Sequence, residues 1–425
     1  MDSSERLTGI QHGYRMQIVD QPDISTARPL SGVRILALEQ MQALPFATQL
    51  LARLGADVVK VEPITGEMGR GSLPAIADPQ GRLVGATFLR NNFGKRSVCV
   101  NLKDPAGRDL VLRMAPKFDV LAENAKPGTM ARLGLSYQDV REVHPAVIYT
   151  SISGFGNLGG SPYLSWPAFA PVVEAMSGIY EMKRQVDQPP TVSPVGALGD
   201  ISAALFAAVG ILAALRRRDV SGEGCQVDVA MLDSVMAMTD IVLNFWSLGL
   251  RNGDLGPLIN HGFRAGDGWF IIQVGREAHF ARLAELVGHA EWVTDPRFAN
   301  RQGWIDQLET EIRPAIEKWA SGMTRSQACA HFASAGIAAG PCLRDEELAT
   351  DPHVVARNML STIDRPDGSG PPVLVPGNPV KLTGVPDGPD GPIPWVGEHT
   401  DGVLGAELGL SAGRLEELRS TGVIA

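Results

Sequence analysis

Asp200 closes the turn Val195-Gly-Ala-Leu-Gly-Asp200, and the apolar run Ile201 to Leu215 follows it without a charge before Arg216, Arg217 and Arg218. An acid at the start and cations at the end are the signature of a helix with an Asp N-cap. Taken alone, an Asp in this place is more often a cap than a catalyst. Three further segments carry basic side chains beside asparagines: Asn91-Asn-Phe-Gly-Lys-Arg96, Asn101-Leu-Lys103, and Asn124-Ala-Lys126 with Arg132. Their recurrence at strand ends and loop starts points to an anionic ligand held by side chains. No G-x-G-x-x-G follows the first strand and no G-x-x-x-x-G-K-[ST] occurs, which argues against a dinucleotide or a P-loop nucleotide. None of the eight histidines lies between residues 145 and 260, and neither G-x-S-x-G nor H-E-x-x-H is present. His399, in Gly397-Glu-His-Thr-Asp401, reads as a helix cap.

These residues need elements to place them. Val33 to Leu38 reads as a strand, Ala47 to Leu54 as a helix ended by Gly55, and Asp57 to Glu62 as a second strand. So short an interval makes a βαβ unit with parallel strands. The alternation continues through an extended Arg96–Leu102, a helical Ala106–Ala115 and strands at Val120–Glu123 and Val147–Ser153. It predicts a Rossmann-like doubly wound parallel sheet with ligands at the strands' carboxyl ends. After residue 225, a long helix is expected from Met231 to Leu250, then a Gly/Asp-rich loop over Arg251–Asn260. A smaller α/β domain follows, and a Pro/Gly-rich stretch returns the chain to the first domain. The expected boundaries are a polar arm at 1–28, in which Met16 to Val19 could add an edge strand, and a large domain at 29–225 completed by 397–425. A helical linker at 226–257, a small domain at 258–345 and an extended return linker at 346–396 complete the map.

A chain of 425 residues is long enough for two cores. A net charge of −9 gives no bulk attraction to nucleic acid or an acidic membrane, so no such partner is expected. Cys99, Cys225, Cys329 and Cys342 are far apart and form no C-x-x-C, which argues against a metal site and fits a reducing cytoplasm. The polar leader lacks the apolar core of a signal peptide. Ile201–Leu215 reads as a core helix too short to span a bilayer.

In order along the chain stand Pro29-Leu-Ser-Gly-Val-Arg-Ile-Leu36, Leu54-Gly-Ala-Asp-Val-Val-Lys-Val-Glu-Pro63 and Asn92-Phe-Gly-Lys-Arg-Ser97. Next come Glu123-Asn124 with Pro127-Gly128, Ser151-Ile-Ser-Gly-Phe-Gly156 and Ala197-Leu-Gly-Asp200. Gly336-Ile-Ala-Ala-Gly-Pro341 and Gly397-Glu-His-Thr-Asp401 close the series. Together they resemble the class III CoA-transferase (CaiB/BaiF) family, the formyl-CoA transferase and carnitine CoA-transferase group, over almost the whole chain.

The resemblance implies that Asp200 is a nucleophile. It would attack an acyl-CoA thioester to give a mixed anhydride, then an aspartyl-CoA thioester that a carboxylate acceptor resolves. It implies no tightly bound cofactor, with coenzyme A arriving as the substrate acyl-CoA. Gln42 and Ala43 would lie by the thioester, with the Gln42 amide a donor to its oxygen. Val100, Asn101, Leu102 and Lys103 would line the nucleotide site, and Asn124, Ala125, Lys126 and Arg132 would approach the adenine and phosphates. It also implies an interlocked homodimer. Pro63, Gln40 and Ala170 stand where some relatives carry Arg, His and an acid, so the acid that could assist exchange is missing. The alternatives are a 2-methylacyl-CoA racemase, disfavoured by the lack of a nearby His, and an intramolecular CoA transfer. Arg264 is a candidate clamp for the acceptor's second carboxylate; succinyl-CoA is the suggested donor, and the acceptor is a small, perhaps dicarboxylic, acid.

Overall fold

Along the first strand, β1 (Arg34–Leu38), Ile35 and Ala37 enter one apolar core while Leu36 and Leu38 enter another. A strand buried on both faces reads as a continuous apolar run, and such strands belong to parallel sheets covered by helices on each side. The computed structural model, which describes residues 28–182, 184, 187–249, 256–387 and 390–425, has that architecture. The N-terminal arm, with Met16 to Val19, and residues 251–255 of the Arg251–Asn260 loop lie outside the described residues.

Five more strands complete the sheet: β2 (Asp57–Glu62), β3 (Lys95–Cys99), β4 (Val120–Glu123), β5 (Ile148–Ser153) and β6 (Cys225–Ala230). All pairings are parallel and the spatial order is β3-β2-β1-β4-β5-β6. The order reverses between β1 and β4, and the crevice outside that switch point is where such sheets bind ligands. β6 crosses the boundary expected at residue 225. Val227 and Val229 pack on the first core, so the sheet runs to Ala230 before the helical segment begins.

The first core lies under the helices Ala43–Arg53, Ala170–Met176 and Leu198–Ser221. The last of these is 24 residues long and, by length and composition alone, long and apolar enough to cross a membrane, which corrects the reading of it as too short. Its Ser202, Ala203, Ala204, Ala207, Ala208 and Ala214 are instead buried in the protein, a small-residue face that lets Ala43–Arg53 approach closely. Leu205, Phe206, Val209 and Leu212 remain exposed on its other side. The second core lies under Pro105–Met114 and Tyr137–Val143, and residues from the C-terminal helices Thr400–Leu408 and Ala412–Ser420 enter it.

The helix expected over Met231–Leu250 breaks at Thr239 into Met231–Met238 and Asp240–Ser247. The Thr239 hydroxyl there donates to the Val235 carbonyl, a side-chain bond that competes with the helix ladder. A separate apolar core, rich in Phe and Trp, forms around a three-stranded antiparallel sheet of Ile259–Ala265, Gly268–Val274 and Ala338–Pro341. Residues 346–396 are not simply extended. They contain the helix Pro352–Ala356 and the antiparallel pair Leu360–Ile363 and Val373–Pro376, whose Ile363 and Val375 pack with Phe88, Phe93 and Ile393.

Candidate active site

The Leu198–Ser221 helix is capped by Ala197, so Asp200 sits at its third position and is not the N-cap. The first turn of any helix leaves backbone N–H groups without helical partners, and here two of them find acceptors outside the helix. Leu198 N–H reaches the Gly196 carbonyl at 3.1 Å, Gly199 N–H reaches Glu174 Oε1 at 3.0 Å, and Asp200 N–H faces its own carboxylate. Ala43 N–H, at the start of the facing Ala43–Arg53 helix, also favours the ionised Asp200 carboxylate. Two helix N-termini therefore converge on one carboxylate, the arrangement that favours negative charge.

Burial works against these donors. It raises the half-buried Asp200 carboxyl to about 6, and the charge of Glu174 adds to the rise. The result is a carboxylate ionised at neutral pH but weakly solvated, a state suited to nucleophilic attack.

Glu174 has no counterpart among the expected site residues. It is fully buried, its second oxygen accepts from the Tyr180 hydroxyl, and it stands one helical turn beyond Ala170, the position that lacks an acid. A glutamate is ordinarily exposed, so its sequence position gave no sign of this burial. Gly199 makes the juxtaposition possible. A Cβ there would lie 2.8 Å from Val173 Cγ2 and 3.1 Å from Ala170 Cα, so only glycine admits the Ala170–Met176 helix this close.

Gln42 is the N-cap of Ala43–Arg53 with no side-chain capping bond, which leaves its amide unspent on the helix. The loop that delivers it is tied down residue by residue. Glu39 C=O accepts from Lys60 Nζ at 3.1 Å, Gln40 exchanges two 2.9 Å bonds with the Asn124 side-chain amide, and Met41 N–H donates to Glu67 Oε2 at 3.0 Å. The Asn124 clasp spans β1 and β4, so it bridges the switch-point crevice itself. Met41 has φ 62°, a conformation that costs a residue with a Cβ about 1–2 kcal/mol.

Beneath the loop lies a buried network of three acids and three cations. Lys95 Nζ contacts Glu39 Oε1 at 2.6 Å, Lys60 lies 3.5 Å from Glu39 and 3.6 Å from Glu67, and Arg70 pairs with Glu62 at 2.7 Å. Burial alone would raise the Glu39 carboxyl; Lys95 and Lys60 outweigh it and hold it below its ordinary range. Burial pulls the Lys95 ammonium down to about 8 against the opposing attraction of Glu39.

The residues expected around the nucleotide fall into two groups. Leu102 and Ala125 both pack against the second core, so the segments after β3 and β4 share the face opposite Asp200. They are three strand spacings apart, about 14 Å. Lys103, Lys126 and Arg132 are exposed, and Arg132 donates to Thr129 Oγ1 at 2.8 Å. Val100 has its side chain buried in the core, and its backbone bridges Ile424. Asn101 bonds to the C-terminal turn through its N–H to Val423 O at 2.8 Å. Arg264 lies on the exposed face of the Ile259–Ala265 strand. His399 is the N-cap residue of the Thr400–Leu408 helix, as its motif suggests, but without a side-chain cap bond; its Nδ1 accepts from Ser97 N–H at 3.3 Å. Among the described residues, no group of His, Cys, Asp and Glu side chains comes together as a metal site, and all four cysteines are free.

The model of CoA-transferase family III matches residues 30–400. The chain belongs to that family. It is 33% identical over 413 residues to the succinyl-CoA–D-citramalate CoA-transferase of Chloroflexus aurantiacus, covering 93% of this chain and 98% of the relative. It is 36% identical over 375 residues to the acetyl-CoA:oxalate CoA-transferase of Acetobacter aceti, covering 84% and 90%. The crystal structure of a CaiB/BaiF family protein from Brucella suis superposes with a TM-score of 0.77 at 30% identity, covering 90% of this chain and all of that one. The chain is thus a CoA-transferase of this family, and its substrates are CoA thioesters.

Proposed function

We propose that this enzyme moves CoA from succinyl-CoA to a small dicarboxylic acid through covalent intermediates on Asp200. The observation that carries the reading is the half-buried, weakly solvated Asp200 carboxylate, favoured by Ala43 N–H where two helix N-termini meet. A carboxylate oxygen attacks the thioester carbonyl carbon, the C–S bond breaks, and CoA leaves as thiolate with a mixed anhydride on Asp200. The thiolate then attacks the aspartyl carbonyl and releases the donor acid. The acceptor carboxylate repeats the two steps in reverse, with no net proton transfer. The Gln42 amide donates to the oxygen that gains charge, a role open to it because it caps no helix.

The nucleotide would lie over the strand ends toward Val100 to Lys103 and Asn124 to Lys126, with Arg132 nearby; basic side chains sit in both segments. Both relatives named above take diacids, citramalate and oxalate, which supports a dicarboxylate acceptor.

The expected test is intact-protein mass after brief incubation with succinyl-CoA and trapping with hydroxylamine or borohydride. An adduct on the peptide holding Asp200, absent in Asp200→Ala, is the outcome this mechanism requires. No adduct, with solvent deuterium entering C2 of a 2-methylacyl-CoA, would favour an isomerase instead.

The same proposal includes a cytoplasmic, interlocked homodimer with no membrane or nucleic-acid partner. The acidic net charge, the free cysteines and the exposed Leu205, Phe206, Val209 and Leu212 support it. Sedimentation should give twice 45.3 kDa, and Phe206→Glu should shift the mass toward one chain.

A further inference from the structure

We infer that Glu67, a residue outside the reacting groups, positions the catalytic loop by holding Met41 in its left-handed conformation; this rests on the reading of Asp200 and Gln42 given above. The Glu67 side chain is 1% exposed, and its Oε2 accepts from Met41 N–H at 3.0 Å and Gly69 N–H at 2.5 Å. Its Oε1 makes no hydrogen bond, and its nearest cation, Lys60, is 3.6 Å away. A buried carboxylate with one oxygen unsatisfied is an expensive way to stabilise a fold. One of its two bonds caps the adjacent Met68–Gly71 turn, and the other fixes the backbone at Met41.

That point is decisive for the site. β1 ends at Leu38, and the Ala43–Arg53 helix begins only five residues later. The left-handed turn at Met41 redirects the chain between them, so its φ sets where the Gln42 amide and Ala43 N–H stand relative to Asp200. Methionine leaves that conformation once the hold is released, whereas glycine occupies positive φ unaided. Gly69 belongs to the same device, because a Cβ on it would lie 2.8 Å from Glu67 Oε1 and expel the carboxylate.

This distinguishes positioning from plain structural support. Glu67→Ala should lower kcat about 10- to 100-fold, the size expected of a small misplacement, with KM for acyl-CoA little changed. Adding Met41→Gly should restore about a third or more of the lost log kcat, because glycine reaches the left-handed well without the carboxylate. Glu67→Gln keeps one acceptor oxygen and should lose less than alanine. Thermal midpoints accompany each variant, and if Glu67→Ala does not fold, Glu67→Gln with and without Met41→Gly makes the same comparison. Wild-type kcat in the Glu67 variants, or a loss that Met41→Gly leaves untouched, overturns the assignment. The adduct assay on the wild-type enzyme separates this from the underlying reading: no Asp200 adduct there sinks the mechanism itself, whatever Glu67 does.

Discussion

At the scale of single residues, the site is a balance struck on Asp200. Burial and the Glu174 charge favour the protonated carboxyl, while Ala43 N–H favours the carboxylate. The attacking form is the ionised one, so kcat/KM for adduct formation should fall as the pH drops through about 6. Glu174→Gln keeps an acceptor for Gly199 N–H but removes the neighbouring charge. Its acid limb should therefore move to lower pH, and a limb that moved up or stayed in place would show that Glu174 does not act on Asp200. The same imbalance has a cost in stability. A carboxyl whose folded value lies above its ordinary 3.8 stabilises the fold fully only below that value, and the benefit disappears as pH rises past about 6. Asp200→Asn is free of this loss. At pH 7 it should unfold at higher denaturant, by a margin on the order of 1–2 kcal/mol once partial exposure is allowed for, while losing its activity. Below about pH 4 the two proteins should converge.

At the scale of elements, Gly199 shows how one missing side chain sets a helix contact. In an isolated helix, alanine is favoured over glycine by about 1 kcal/mol. Here the new Cβ would meet Val173 Cγ2 at 2.8 Å and the Ala170 backbone at 3.1 Å, so the sign should reverse. Gly199→Ala is expected to destabilise by about 1–3 kcal/mol, the range for overpacking, and to lower kcat by shifting Glu174 and Asp200. A stabilised variant with unchanged kcat would mean the two helices can part freely.

Periodicity made the strands legible: Asp57–Glu62 and Val120–Glu123 form with the bounds that their apolar runs predict. It was less informative at helix starts. The Leu198–Ser221 helix begins before Asp200 because Glu174, distant in sequence, supplies an acceptor for the Gly199 N–H, so no local cap was needed. Likewise Ala43–Arg53 begins earlier than its apolar pattern, with Pro45 in its first turn, where a missing N–H does no harm. Glu174, Glu67 and Lys60 gave no sign in the sequence, and Lys95, expected to face an anionic ligand, is instead buried against Glu39, all for one reason. Charged residues are read as surface, and only the folded partners show which ones are buried.

At the scale of the molecule, the last elements of the chain secure the first ones at the edge where the nucleotide is proposed to bind. Asn101 N–H reaches Val423 O at 2.8 Å, Val100 pairs with Ile424, and Cys99 N–H reaches Thr400 Oγ1 at 3.1 Å. Every one of these ties lies at the carboxyl end of β3 or in the Val100–Lys103 segment that follows it. Ile424 is 2% exposed and belongs to the second core, together with Val100, Leu415, Leu418 and Val423. Truncating it should cost about 2–4 kcal/mol, the usual range for a buried aliphatic side chain cut to alanine. Position adds a functional expectation. Ile424→Ala loosens the support under Val100–Lys103 but lies across the sheet from Asp200, on the second core rather than the first. KM for acyl-CoA should therefore rise, while the rate of adduct formation at saturating substrate stays near wild type. Parallel measurement of denaturation midpoint, KM and kcat checks the point. A loss confined to kcat would mean that the C-terminal segment acts on the nucleophile, and the two faces of the sheet could then no longer be assigned separate halves of the substrate.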